Sequence, residues 1–180
     1  MRIIITVPHG NMVSDGDVGV KLIAEELYDI LLSKGHKAIL HVNEDPRERM
    51  DYNRPWSRRT PWRVELRKHM IGTFGVVDVH GFPGDSNSNF ARDKCDIALL
   101  HTPRFTDIKF LRWYARELAK QGLNTGVYPA TVPNDIVMEA INKKARFAFL
   151  VEHAEEGFGL RKHHKVYARA HAKIILGNLI

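Results

Sequence analysis

The sequence predicts one α/β domain with a layered αβα arrangement around a mostly parallel or mixed central sheet. Three observations predict it. Short apolar runs bounded by Gly and Pro alternate with segments of helical periodicity, the order that builds a layered sheet. Two of those runs, Ile3-Ile-Ile-Thr-Val-Pro-His9-Gly10 and Val76-Val-Asp-Val-His80-Gly81, end on a histidine followed by glycine. Finally, 180 residues with 44% hydrophobic content are enough for one full core, and no repeat, linker or low-complexity segment divides them.

Ile3 to Val7 reads as the first strand and His9 to Gly16 as a polar loop. A helix follows from near Asp17 to Lys34, with Val20, Ile23, Leu27, Ile30 and Leu31 on one face, Gly35 as its stop, and Asp15 or Asp17 as its cap. Lys37 to Val42 is the second strand. Glu44 to Trp62, rich in charge and proline, reads as a long surface excursion, and such loops in compact domains are usually functional or mobile. A helix over Pro61 to Met70 leads into the strand Val76 to His80, and Pro83 to Asn89 is a second polar loop. Asp96 to His101 reads as a strand, Phe105 to Gln121 as a helix, and Val127 to Val132 as a short proline-bounded segment. Asn134 caps a helix through Ile141 to Lys144, Phe147 to Glu152 is the last strand, and Arg161 to Leu176 the closing helix.

Composition narrows the class. No apolar run approaches the roughly 20 residues that span a bilayer, so no membrane role is expected. The single cysteine, Cys95, excludes an internal disulfide framework and fits a reducing compartment, with the cytoplasm as the expected location. A net charge of +6 raises the question of nucleic acid, but the basic residues are spread out. Mild basicity of this kind fits anionic small-molecule substrates better. The ten histidines carry more information than the charge, because imidazole is the commonest metal-binding side chain.

In open α/β sheets ligands sit beyond the carboxyl ends of the strands. His9, His80, an aspartate of the first loop and Glu152 all fall at such ends. A catalytic zinc site needs about three protein ligands and an open position. The two histidines and either Asp15 or Asp17 would supply the ligands. Asp78, two residues before His80, shares its strand face and would orient that imidazole from behind. Glu152 closes a very apolar strand, where a carboxylate is costly without a partner or a task. The competing readings are structural: strand-end histidines satisfied by neighbours, helix caps at Asp15 and Asp17, and a Glu152 paired with Lys144 or Arg146. His101 also ends a strand and is a further candidate for the pocket, whereas His153 should face the opposite side of its strand from Glu152. In Asp51-Tyr-Asn53-Arg54-Pro55 an amide and a planar guanidinium stand side by side, suited to gripping a carboxylate.

Taken in order, these pieces resemble the N-formylglutamate amidohydrolase family, within the zinc carboxypeptidase-like hydrolases that include aspartoacylase and succinylglutamate desuccinylase. Pro8-His9-Gly10 is similar to the first-ligand motif, Asp17 to the acidic residue opening the first helix, Asp51-x-Asn53-Arg54-Pro55 to the family's Asp-x-Asn-Arg-Pro, Asp78-x-His80 to its Asp-x-His element, and Phe149-Leu-Val-Glu152 to the strand ending in the catalytic glutamate. The resemblance implies a phosphorylase/hydrolase-like fold and zinc held by His9, His80 and Asp17. It also implies a substrate carboxylate held by Asn53 and Arg54, and Glu152 as general base and acid. Met12 stands where a His-x-x-Glu spacing would place a glutamate, which leaves the third ligand between Asp15 and Asp17.

The expected activity is hydrolysis of an amide bond in a small carboxylate-bearing substrate of the N-acyl amino acid type, with Arg58 or Arg59 adding to an anionic pocket. Two alternatives remain: a metallopeptidase acting on peptides or cell-wall fragments, and a non-catalytic module whose Arg47 to Arg67 loop, with Trp56 and Trp62, holds nucleic acid by phosphate contact and stacking.

Overall fold

The structure is a computed structural model. It describes residues 2–10, 19–45, 51–82, 88–154 and 159–178, with side chains over 163–177 in the last stretch. Six strands and their helices follow in the order β1 (Arg2–Val7), α1 (Val20–Ser33), β2 (Lys37–Val42), a 3₁₀ turn (Pro55–Arg59), α2 (Pro61–Met70), β3 (Gly75–Phe82), α3 (Asn89–Arg92), β4 (Ile97–His101), α4 (Ile108–Ala119), β5 (Thr125–Pro129), α5 (Asp135–Asn142), β6 (Phe147–Ala154) and α6 (Gly159–Asn178).

The sheet order is β2-β1-β3-β6-β4-β5. β2, β1, β3 and β6 run parallel, while β4 is antiparallel to β6 and carries β5 parallel to itself. The sheet is therefore mixed, and the carboxyl ends of β1, β3 and β6 share one edge.

Alternation along each strand sorts the core into two layers. Ile3, Ile5, Val7, Val77, Val79, Phe149 and Val151 pack under α1, α4 and α6. Ile4, Val76, Ala148 and Leu150 face α2 and α5, meeting Leu66, Met70, Ile136 and Val137. The helical stripes are legible: α1 buries Val20, Ile23, Ala24, Leu27 and Leu31. A fully buried leucine such as Leu27 contributes about 2–5 kcal/mol relative to alanine.

Local signals set the helix ends. Thr60 accepts from the Arg63 N–H ahead of a Pro-initiated α2, and Asn134 accepts from the Val137 N–H at 2.8 Å to start α5. Gly35 follows α1 at φ +79°, a conformation that costs other residues. The helix predicted from near Asp17 begins at Val20 with Gly19 at its N-cap. Asp15 and Asp17 lie outside the described residues. Among the described residues no helix is long and apolar enough to cross a membrane.

Candidate active site

The site lies where β1, β3 and β6 end, on the α2/α5 face of the sheet. Pro8 closes β1 and turns the chain so that Asn43 Nδ2 donates to the Pro8 carbonyl at 2.9 Å, and the Gly10 N–H donates to the Asn43 carbonyl at 2.8 Å. A Cβ on Gly10 would stand 2.6 Å from Val42 Cγ1 and 2.9 Å from the Asn43 oxygen, so only glycine allows this approach. The turn holds His9 almost fully buried, with Nε2 3.5 Å from Asp51 Oδ1 and Nδ1 buried without any hydrogen-bond partner.

His80 is delivered by β3. Its ring centroid lies 5.3 Å from that of His9, the two planes inclined at 66°. Its Nε2 is 3.1 Å from Asp78 Oδ2 and 2.7 Å from the side-chain amide of Asn53. Asp78 is completely buried; it accepts from Thr6 Oγ1, its register partner on β1, and from Asn134 Nδ2 at 2.7 Å. A carboxylate accepts only, so His80 Nε2 carries a hydrogen toward Asp78; the Asn53 amide stands with Nδ2 toward Nε2 and its oxygen unpartnered, and exchanging the two amide atoms lets that oxygen accept the same N–H.

Glu152 is the register partner of His80 on β6 and lines the same cavity, of about 250 Å³, with His9, Asp51, Asn53, Arg54 and His80. Leu100, Leu150, Pro129 and Val132 form an apolar wall. A pairing of Glu152 with Lys144 or Arg146 is excluded by distance. Both precede β6, six to eight residues upstream, and a strand rises about 3.3 Å per residue. Arg146 instead lies over the Phe74 ring, 5.4 Å from its centroid.

Arg54 enters the cavity held by Asp51, Nε to Oδ2 3.0 Å, and Asp51 also accepts the Asn53 N–H at 3.0 Å. Burial works against the charge on Asp51. His9, the Asn53 N–H and the Arg54 guanidinium outweigh it and hold the carboxyl well below the usual carboxylate range. Behind this loop, fully buried Arg63 donates from Nη2 to Asp135 at 2.9 Å and Glu139 at 2.6 Å, and from Nη1 to the Tyr52 carbonyl at 2.7 Å. The network ties the loop carrying Asp51 to Arg54 onto α5, and the Asp135 N–H donates to the Asn53 carbonyl at 3.2 Å.

The structure thus brings together His9, His80, Asp78, Asn53, Arg54 and Glu152. Arg58, expected at the substrate, is not among the cavity residues: its guanidinium grips Asp135 through Nε at 2.9 Å and through Nη2. Asn53 touches His80 as well as the cavity. His101 lies elsewhere, because β4 runs against β6 and alternation sets His101 with Ile97 and Leu99 on the opposite face. Among the described residues no three His, Cys, Asp or Glu are grouped to hold a metal ion, and both candidates for the third ligand fall outside them. Sequence reasoning gave Asp51, Thr6 and Arg63 no individual role in this site, and Asn134 none beyond a helix cap. Asp51 stood inside a motif already singled out, whereas nothing in the sequence tells that Asn134, beyond capping α5, also reaches Asp78. A larger cavity of about 650 Å³, lined by Phe105, Phe110, Trp113 and Phe147, contains no histidine.

No family model matches the sequence, and no curated protein matches it. The fold is that of a group of solved hydrolases. N-formylglutamate amidohydrolase from Ralstonia eutropha superposes with a TM-score of 0.63 at 12% identity, covering 96% of this chain and 92% of that one. A mutant pyrrolidone carboxyl peptidase from Pyrococcus furiosus gives 0.57 at 12% identity over the full length of both chains. A bacteriophage poly-gamma-glutamate hydrolase gives 0.55 at 13% identity, over 99% of this chain and 86% of that one.

Proposed function

We propose that this protein is a zinc-dependent hydrolase of amide bonds in small, carboxylate-bearing substrates of the N-acyl amino acid type. The observation that carries the reading is the convergence of His9, His80, Arg54 and Glu152 on one cavity. The donor set suits zinc. His9 Nδ1 is a buried nitrogen without a partner, and His80 has its Nε2 occupied by Asp78, the arrangement expected behind a metal-binding imidazole. Two imidazoles sharing one tetrahedral zinc at about 2.0–2.1 Å have centroids roughly 5 Å apart, close to the 5.3 Å found. Asp17 or Asp15 would complete the set.

When bound, zinc supplies Lewis acidity that polarises a carbonyl and acidifies water. Glu152 takes a proton from the attacking water and delivers it to the nitrogen as the C–N bond breaks. Arg54, fixed through Nε by Asp51, offers its remaining N–H groups to the substrate carboxylate, and Asn53 adds a polar contact beside it. The cavity, small against the usual 300–1,000 Å³, favours a short substrate. Two of the similar structures carry glutamate in their names, which supports a glutamyl amide as the first compound to try. The peptidase among the neighbours favours a second reading, cleavage of short peptides at the same site.

A panel of N-formyl and N-acetyl amino acids beside short peptides separates the two. Turnover of the acyl amino acids, with a loss of about 10²–10⁴-fold in Glu152→Gln and zinc retained, is the expected result. Full activity in Glu152→Gln removes the assignment.

A further inference from the structure

On the sheet face opposite the cavity, three buried polar side chains form one file. Tyr114 Oη of α4 lies 2.9 Å from His171 Nδ1 of α6, His171 Nε2 lies 3.0 Å from His153 Nε2 of β6, and His153 Nδ1 lies 3.1 Å from the backbone oxygen of His80. All three residues are exposed by 1% or less. With both rings neutral, one proton order satisfies every contact. A carbonyl only accepts, so His153 carries its hydrogen on Nδ1; its Nε2 then accepts from His171 Nε2–H, and His171 Nδ1 accepts from the Tyr114 hydroxyl. Burial, with His153 alongside, pushes the His171 pKa well below its ordinary value and keeps that ring neutral.

The proposed chemistry uses none of these groups, and apolar side chains of similar volume would fill the space without needing partners. What the file grips is the peptide between His80 and Gly81, where the following glycine has no Cβ to restrain the backbone. The ring of the same histidine is gripped on the other face by Asp78 and Asn53.

We propose that His153, backed by His171 and Tyr114, is a positioning residue that clamps the His80 carbonyl and so fixes the direction in which that imidazole enters the cavity. Its consequence for metal binding rests on the zinc reading above; the clamp itself does not.

The test uses the full chain with His153→Leu, which removes the donor, and His153→Asn, whose amide N–H can replace the Nδ1–H. Nitrogen NMR of the metal-free protein reads the His80 tautomer, and competition with a chelator reads zinc affinity. The leucine variant is expected to convert the single Nε2–H signature of His80 into a tautomer mixture and to weaken zinc binding about 10- to 100-fold. The asparagine variant should restore the signature and most of the affinity. A folded His153→Leu protein with an unaltered His80 signature overturns the proposal. Should that variant fail to fold, His171→Leu decides: with no donor facing its Nε2, His153 samples the other tautomer and releases the carbonyl, so an unaltered His80 signature there is equally fatal. If the unsubstituted chain binds no zinc, the zinc reading falls while the metal-free signature still judges the clamp.

Discussion

Val7-Pro8-His9-Gly10 and Val79-His80-Gly81-Phe82 look alike as sequence, a β run ending in histidine and glycine, yet the fold holds them differently. His80 sits inside its strand, which continues to Phe82, and both its ring and its carbonyl have side-chain partners. His9 lies past the end of β1, on a turn that a proline and a tightly packed glycine shape, and its Nδ1 has no protein partner. One imidazole is held by the protein at its Nε2 and through its own carbonyl; the other keeps a buried nitrogen without a hydrogen-bond partner. Such an asymmetric pair costs stability unless a ligand completes it, which is the physical reason to look for a cation between them.

Both histidines lean on one loop, His9 through Asp51 and His80 through Asn53, so the sharpest way to break both together is to cut that loop from α5. Arg63→Met leaves Asp135 and Glu139 short of their buried partner and should cost about 3–5 kcal/mol in chemical denaturation. A cost below about 1 kcal/mol would mean that the network does not secure the loop. Gly10→Ala addresses His9 alone. It forces Val42 or the 43 carbonyl aside and should destabilise by about 1–3 kcal/mol, with the NMR shifts of His9 moving more than those of His80. Asn134→Ala addresses His80 alone. It removes the α5 cap and one donor to Asp78 for about 1–2 kcal/mol, and should move His80 more than His9. The smallest effect concerns the file behind His80. His171 is neutral in the fold with a lowered pKa, while in the unfolded chain it takes a proton near pH 6.5. Below that pH the unfolded state binds more protons, so stability falls as pH falls, by at most about 1.4 kcal/mol per unit. His41, lowered mainly by burial, acts in the same direction. Thermal melts of His171→Leu against the unsubstituted chain should show a shallower loss on acidification.

How far the sequence carried depended on whether a signal was local. β2 and α2 fall on the predicted residues, Lys37–Val42 and Pro61–Met70, because alternation, a threonine cap and an N1 proline are written next to the elements they define. The short α3 starts at Asn89, the last residue of the stretch read as loop, and was not foreseen, since four residues are too few to show a helical period. The reversal of β4 and β5 left no trace, because an apolar run looks the same in either direction, and with it went the reading of His101 as a candidate for the cavity. Glu152 beside His80 followed from reading both as ends of parallel strands. Arg58 could not be placed from sequence: a basic residue in a charged loop serves a substrate or a buried aspartate equally well, and only folding brings Asp135 within reach.

X-ray absorption at the zinc edge of the zinc-loaded chain tests the central claim most directly. The account predicts two imidazole nitrogens at about 2.0–2.1 Å, one of them lost in His9→Ala and one in His80→Ala. Zinc bound with the same nitrogen coordination after either substitution would contradict it.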